Sequence, residues 1–187
     1  MESLNLASPK TDPFAVLADL ERRCKQSAAG LPAQEEVVQL WNGIGFILAG
    51  QKYVAPMGEI SEILHLPRYT QVPGVKSWMN GIANVRGRLL PIMDLAQFFG
   101  LQGSARTSRD KRVLVVERGD TFSGLIVDSV QGMQYFAIDS YAASASHVPD
   151  AMNSFVLGQY SKNDEAWAVF SPFLLADHPG FVDVARW

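Results

Sequence analysis

Chemistry, if the chain performs any, must come from a short set of side chains. It has three histidines, His65, His147 and His178, one cysteine, Cys24, and two aspartates, Asp94 and Asp128, that each end an apolar run. The histidines are scattered, with no second His, Cys or carboxylate at a metal-ligand spacing, which argues against a zinc or iron centre. Ser123-Gly124 is not the G-x-S-x-G elbow of a hydrolase. The segment from Gly81 to Gly87-Arg88 superficially suggests a phosphate loop, but its spacing is one residue too long and no Lys-Ser or Lys-Thr follows. A strand-ending Asp is usually a turn or helix cap, so an Asp94/Asp128 acid-base pair is a weak reading. Nothing in this set demands catalysis.

One charge stands out. Gly81 and Gly87 bracket a β-type run whose one fixed charge is Arg86, beside Val85 and at a turn glycine. An unpaired guanidinium in a tight structure is costly, so Arg86 needs a carboxylate, and Glu59 and Glu62 are the nearest candidates. Such a pair would brace a barrel, and could also orient a protein-binding groove.

Positioning these residues falls to many short elements. Asp12-Pro13 caps a helix whose apolar stripe is Phe14, Leu17, Leu20 and Cys24, with Val16 beside them, until Gly30 stops it. That spacing marks Cys24 as a small buried hydrophobe rather than a reactive thiol. From Trp41 onward the period changes to short strands, expected at 43–50, 52–57, 68–72, 81–87, 88–94, 112–118, 121–130, 132–138, 154–161 and 165–170. Asp94 should cap a short helix ending at Gly100, and Ser171-Pro172 should start another. Two sets of about five strands, separated by the polar segment 102–111, predict two small β-barrels that share a buried interface. The expected division is an N-terminal extension over 1–40, a first barrel over about 41–101, a second over about 112–176, and a tail over 177–187.

Composition narrows the function. The chain has 187 residues, 16 basic against 19 acidic side chains and a net charge of -3, which disfavours a broad nucleic-acid footprint. A single cysteine excludes an internal disulfide framework. The first 14 residues lack the basic and apolar regions of a secretory signal, and no run approaches the ~20 apolar residues that span a bilayer. A soluble cytoplasmic protein is therefore expected. Charged residues make up 19% of the chain, below the ~25% of a typical soluble domain, leaving either a large core or a sticky surface.

A resemblance then enters through residues 72–95, VPGVKSWMNGIANVRGRLLPIMDL, with Gly81, Ile82, Asn84, Arg86, Gly87, Pro91, Ile92, Asp94 and Leu95 in signature places. Upstream YVAPMGEISEIL (53–64) and downstream LIVDSVQGM (125–133) continue it. These segments resemble the CheW-like coupling domains, and within them the PilI-type members of type IV pilus chemosensory (twitching motility) systems.

The resemblance implies a mainly β fold of two SH3-like five-stranded β-barrels sharing a core, with an N-terminal helix and short helices. It implies no catalytic activity, cofactor or metal. The implied role is an adaptor joining a chemoreceptor's cytoplasmic tip to the regulatory domain of a CheA-type histidine kinase, recruited to membrane-associated receptor arrays without entering the membrane. The receptor-binding groove carries over to Met57, Ile60, Glu62, Asn84, Arg86 and Val113, and the structural turn positions to Gly81, Gly87, Pro91 and Asp94. A competing reading, a small β-barrel module binding an oligonucleotide or oligosaccharide, rests on the aromatics Trp41, Tyr53, Trp78 and Trp167.

Overall fold

The computed structural model describes residues 12–27, 39–102 and 110–185. Residues 1–37 and 38–187 form two separate units, and the first is described by itself. Its helix α1 (Pro13–Ser27) starts where Asp12 Oδ1 accepts from Phe14 N–H at 3.0 Å. Asp19 pairs with Arg22 and Arg23, and Glu21 with Lys25, one turn on. Cys24 is exposed on this helix rather than enclosed as a buried hydrophobe. Gly30, the expected stop, lies outside the described residues.

The second unit holds eleven strands among its described residues: β1 (Leu40–Leu48), β2 (Gln51–Pro56), β3 (Glu62–His65), β4 (Met79–Val85), β5 (Arg88–Asp94), β6 (Arg112–Arg118), β7 (Thr121–Val127), β8 (Ser129–Ala137), β9 (Tyr141–Ala142), β10 (Val156–Lys162) and β11 (Glu165–Phe170). Three short α-helices accompany them, α2 (Leu95–Phe98) after β5 and α3 (Pro172–Ala176) and α4 (Pro179–Val182) after β11. Both expected caps form, Asp94 accepting from Gln97 N–H and Ser171 from Leu174 N–H.

Two sheets result, a six-stranded one ordered β8-β1-β2-β11-β10-β9 and a five-stranded half-barrel ordered β3-β6-β7-β5-β4. They do not correspond to the two halves of the chain. The five-stranded sheet takes β6 and β7 from the expected second barrel, and the six-stranded sheet takes β1 and β2 from the expected first. The middle of the chain therefore builds one sheet, nested inside the two outer portions that build the other. Parallel pairing makes this possible: β2 joins β11 through Tyr53↔Ala168 and Val54↔Val169, and β5 joins β7 through Ile92↔Gly124 to Asp94↔Ile126.

Burial on both faces enforces the arrangement. In β6, Val113 and Val115 point into the interior of the five-stranded sheet, while Leu114 and Val116 point into the core shared by the two sheets. β11 repeats the pattern, with Trp167 and Val169 inside the six-stranded sheet and Ala168 and Phe170 in the shared core. Strands that are apolar on both faces need covering layers above and below. The shared cluster is the largest of the three and also takes in Phe181 of α4, stacked on Trp78 at 5.8 Å. The described part of the segment expected as a C-terminal tail thus contributes Phe181 to the core, and its Ala185 bridges back to Val75.

Two strand expectations fail for local reasons. Residues 68–72 form no strand. Pro67 and Pro73 flank the segment and lack N–H donors, and only Thr70 pairs, exchanging both backbone bonds with Ile82 at 2.9 Å. The run 121–130 is broken at buried Asp128, whose N–H donates to Ile47 O at 3.0 Å where the chain crosses from one sheet to the other.

Two outcomes follow from this packing. A Cβ on Gly81, where φ is +153°, would sit 2.2 Å from Thr70 O, so Gly81→Ala should lower stability in urea unfolding by about 2–3 kcal/mol. Burial pushes the Tyr53 hydroxyl up from its ordinary 10.0 to about 12. It is therefore harder to ionise folded than unfolded, so its contribution is complete below the lower value and is lost as pH rises towards the higher one. Tyr53→Phe should make alkaline unfolding in that window measurably shallower.

Candidate functional site

Three of the expected groove residues, Glu62, Asn84 and Arg86, come together at the tip of the β4–β5 hairpin. Val85 pairs with Arg88, leaving a two-residue turn at Arg86 and Gly87. Both have positive φ, 51° and 82°, as a type I′ turn requires. Asn84 Oδ1 accepts from Gly87 N–H at 2.9 Å and holds the turn closed. Arg86 is thereby projected from a fixed point, and its Nη2 donates to Glu62 Oε1 of β3 at 2.6 Å. The Arg86 side chain is 78% exposed, so this pair adds at most about 1 kcal/mol of stability and acts mainly by fixing orientation.

Of the two candidate carboxylates, Glu62 is the partner of Arg86. Glu59 instead accepts from Ser171 Oγ at 2.7 Å and from Phe173 N–H at 3.0 Å, tying the start of α3 to the link between β2 and β3.

A second ion pair lies beside the first and was not singled out from sequence. Arg88 makes a two-pronged contact with Glu117, at 2.9 and 3.3 Å, and its guanidinium lies 3.8 Å over the Phe122 ring. These hydrogen bonds hold the Glu117 carboxyl below its usual range and raise Arg88 further. Together the two pairs rim a recess of about 180 Å³ floored by Leu90 and Val115. Cross-strand position gives the signal that could have found this pair: Glu117 faces Phe122 in the ladder, and Arg88 opens the strand after the turn.

The remaining expected groove residues divide. Met57 is 42% exposed, and Ile60 is half-buried against the shared core, both on the link that crosses between the sheets. Val113 is 0% exposed and lies in the interior of the five-stranded sheet. It offers no surface to a partner, because both faces of β6 are covered.

The turn positions have distinct jobs. Gly81 admits Thr70, and Gly87 completes the turn. Ile82 gives both backbone groups to Thr70, so Pro91 opposite it needs no N–H towards β4. Asp94 caps α2 and lies 3.8 Å from Lys111 Nζ. It is therefore committed to structure rather than to acid-base work with Asp128. His178 likewise caps α4, its Nδ1 accepting from Gly180 N–H. Among the described residues no group of three or more His, Cys, Asp or Glu could hold a metal ion. No described helix is long and apolar enough to cross a membrane.

The aromatics that suggested a nucleotide or sugar platform are core residues. Tyr53, Trp78 and Trp167 are buried, and Trp41 stacks on Tyr160 at 4.8 Å. No exposed stacking surface remains among them.

Residues 42–179 match the CheW-like domain. The chain belongs to the CheW-like family. It is 54% identical over 173 residues to Protein PilI of Pseudomonas aeruginosa, covering 92% of this chain and 96% of that protein. The scaffolding protein TtCheW of Thermoanaerobacter tengcongensis shares the fold, with a TM-score of 0.64 and 25% identity over 76% of this chain and 96% of that one. Chemotaxis protein CheA of Cereibacter sphaeroides is 26% identical over 118 residues, 63% of this chain and 17% of that protein. The nested pairing of the two sheets is therefore the fold of a CheW-like domain.

The buried and exposed members of the site should separate cleanly. Val113→Ala should cost about 1–3 kcal/mol of stability, whereas Arg86→Ala should cost less than about 1 kcal/mol, both read from urea midpoints.

Proposed function

We propose that this protein is a non-catalytic adaptor that couples a chemoreceptor to a CheA-type histidine kinase in a type IV pilus chemosensory system controlling twitching motility. The observation that carries the reading is the likeness to Protein PilI, which runs through nearly the whole of both chains. Likeness to the middle of this chain within a CheA protein supports the kinase half of the reading, since two domains of one fold can pair barrel to barrel. The adaptor works in the cytoplasm, held at membrane receptor arrays through its partners and not by inserting into the bilayer.

The receptor's helical tip docks along Met57, Ile60, Glu62, Asn84 and Arg86. An amphipathic helix laid on an apolar strip is a common recognition mode, and Met57 is both exposed and adaptable. The hairpin that projects Arg86 is rigid, held by a type I′ turn, the Asn84 side chain and the Glu62 pair. Rigidity matters to a coupler, because contacts to two partners bias kinase state only when they fix the partners' relative placement.

Arg86→Glu tests the receptor half. It should weaken binding of a purified receptor signalling-tip fragment by about tenfold or more, while the thermal midpoint and binding to the kinase regulatory domain stay unchanged. Unchanged receptor binding would remove Arg86 from the interface, and unfolding would make its role structural.

A further inference from the structure

On the opposite face of the five-stranded sheet from its interior lies a second recess, of about 230 Å³, between β5, β7 and the C-terminal segment. Pro91, Met93, Phe181, Val182 and Val184 make its walls apolar. Three polar residues also line it, Asp120, Thr121 and Ser123, and of these Ser123 alone is buried. Alternation along β7 sends Leu125 and Val127 into the shared core, and Ser123 is the next residue of that row, at the place where the core gives way to the recess. Ser123 is 1% exposed, and its Oγ has no hydrogen-bond partner among the described residues. An unpaired buried hydroxyl destabilises a fold, and an alanine here would avoid that cost.

We infer that this recess binds a small aromatic group bearing one hydrogen-bonding atom, a phenol or an indole, with Ser123 Oγ as its polar contact. The size is suitable, since a dry cavity of roughly 150 Å³ already takes up benzene. A mostly apolar wall with a small number of polar groups is the usual make-up of a small-ligand site. Met79 and Met93 line the same recess, and unbranched methionine side chains shift readily, so the recess can open towards Ser123 by moving side chains rather than backbone. The inference is independent of the adaptor reading, because the recess shares no residue with the proposed receptor strip.

The test titrates phenol and toluene separately into the full chain labelled at its six methionine methyls and follows them by NMR. Phenol should shift Met79 and Met93, leave Met57 and Met133 in place, and bind about three- to tenfold more tightly than toluene. Ser123→Ala should abolish that preference and raise the thermal midpoint. Val182→Trp, at a position 57% exposed, should fill the recess and abolish binding of both probes in a folded protein. Equal binding of phenol and toluene, a preference that survives Ser123→Ala, or shifts at other methionines would overturn the inference. N-acetyl-tyrosinamide then separates the sources. Binding as tight as phenol's identifies a side chain of a partner polypeptide, and exclusion of the amide identifies a free small molecule.

Discussion

The core between the two sheets is the constraint on which the rest of the structure depends. Leu114 and Val116 of β6, Leu125 and Val127 of β7, Tyr53 and Ala55 of β2, and Phe170 of β11 all meet there. The neighbours of these residues along each strand are buried too, on the other side. A strand of this kind has no face to give to water, so each sheet can exist only with the other packed on it. The low charge content of the chain is absorbed largely by this arrangement: much of the apolar excess fills two-faced strands. Surface apolar residues such as Met57 account for the remainder.

From that packing follows the placement of the candidate site. The β4–β5 hairpin is rooted in the interior of its sheet by Leu90 and Ile92, with Thr70 bound to its outer edge and β7 to its inner one. Its tip alone is free, and there the chain spends a two-residue turn to present Arg86. Glu62 reaches it from β3, the strand that follows directly on the crossing between the sheets. A contact at the tip is thus connected by backbone to the interface that holds the molecule together. That is a reasonable mechanical basis for a protein whose work is to hold two others in a fixed relation.

Much of this was legible in the chain. A turn at Gly87, the caps at Asp94 and Ser171, and the need of Arg86 for a nearby carboxylate all follow from rules that act over a few residues, although the sequence points to Gly87-Arg88 and the structure turns one residue earlier, at Arg86-Gly87. What could not be read was anything decided by pairing at long range. The nesting of the sheets rests on parallel pairs such as Tyr53↔Ala168, which leave no local mark. Val113 came to the groove through the resemblance alone, and nothing local in the sequence shows that both faces of β6 are covered. The aromatics misled in the opposite direction, since a Trp in a short strand looks alike whether it faces a ligand or a core.

Coupling requires one chain to hold a receptor and a kinase at the same time. Sedimentation velocity on the protein mixed with a receptor signalling-tip fragment and a CheA-type regulatory domain, each at tens of micromolar, measures this directly. A single ternary species heavier than either binary complex is expected. Mutual displacement of the two partners, or failure to bind either one, would contradict it.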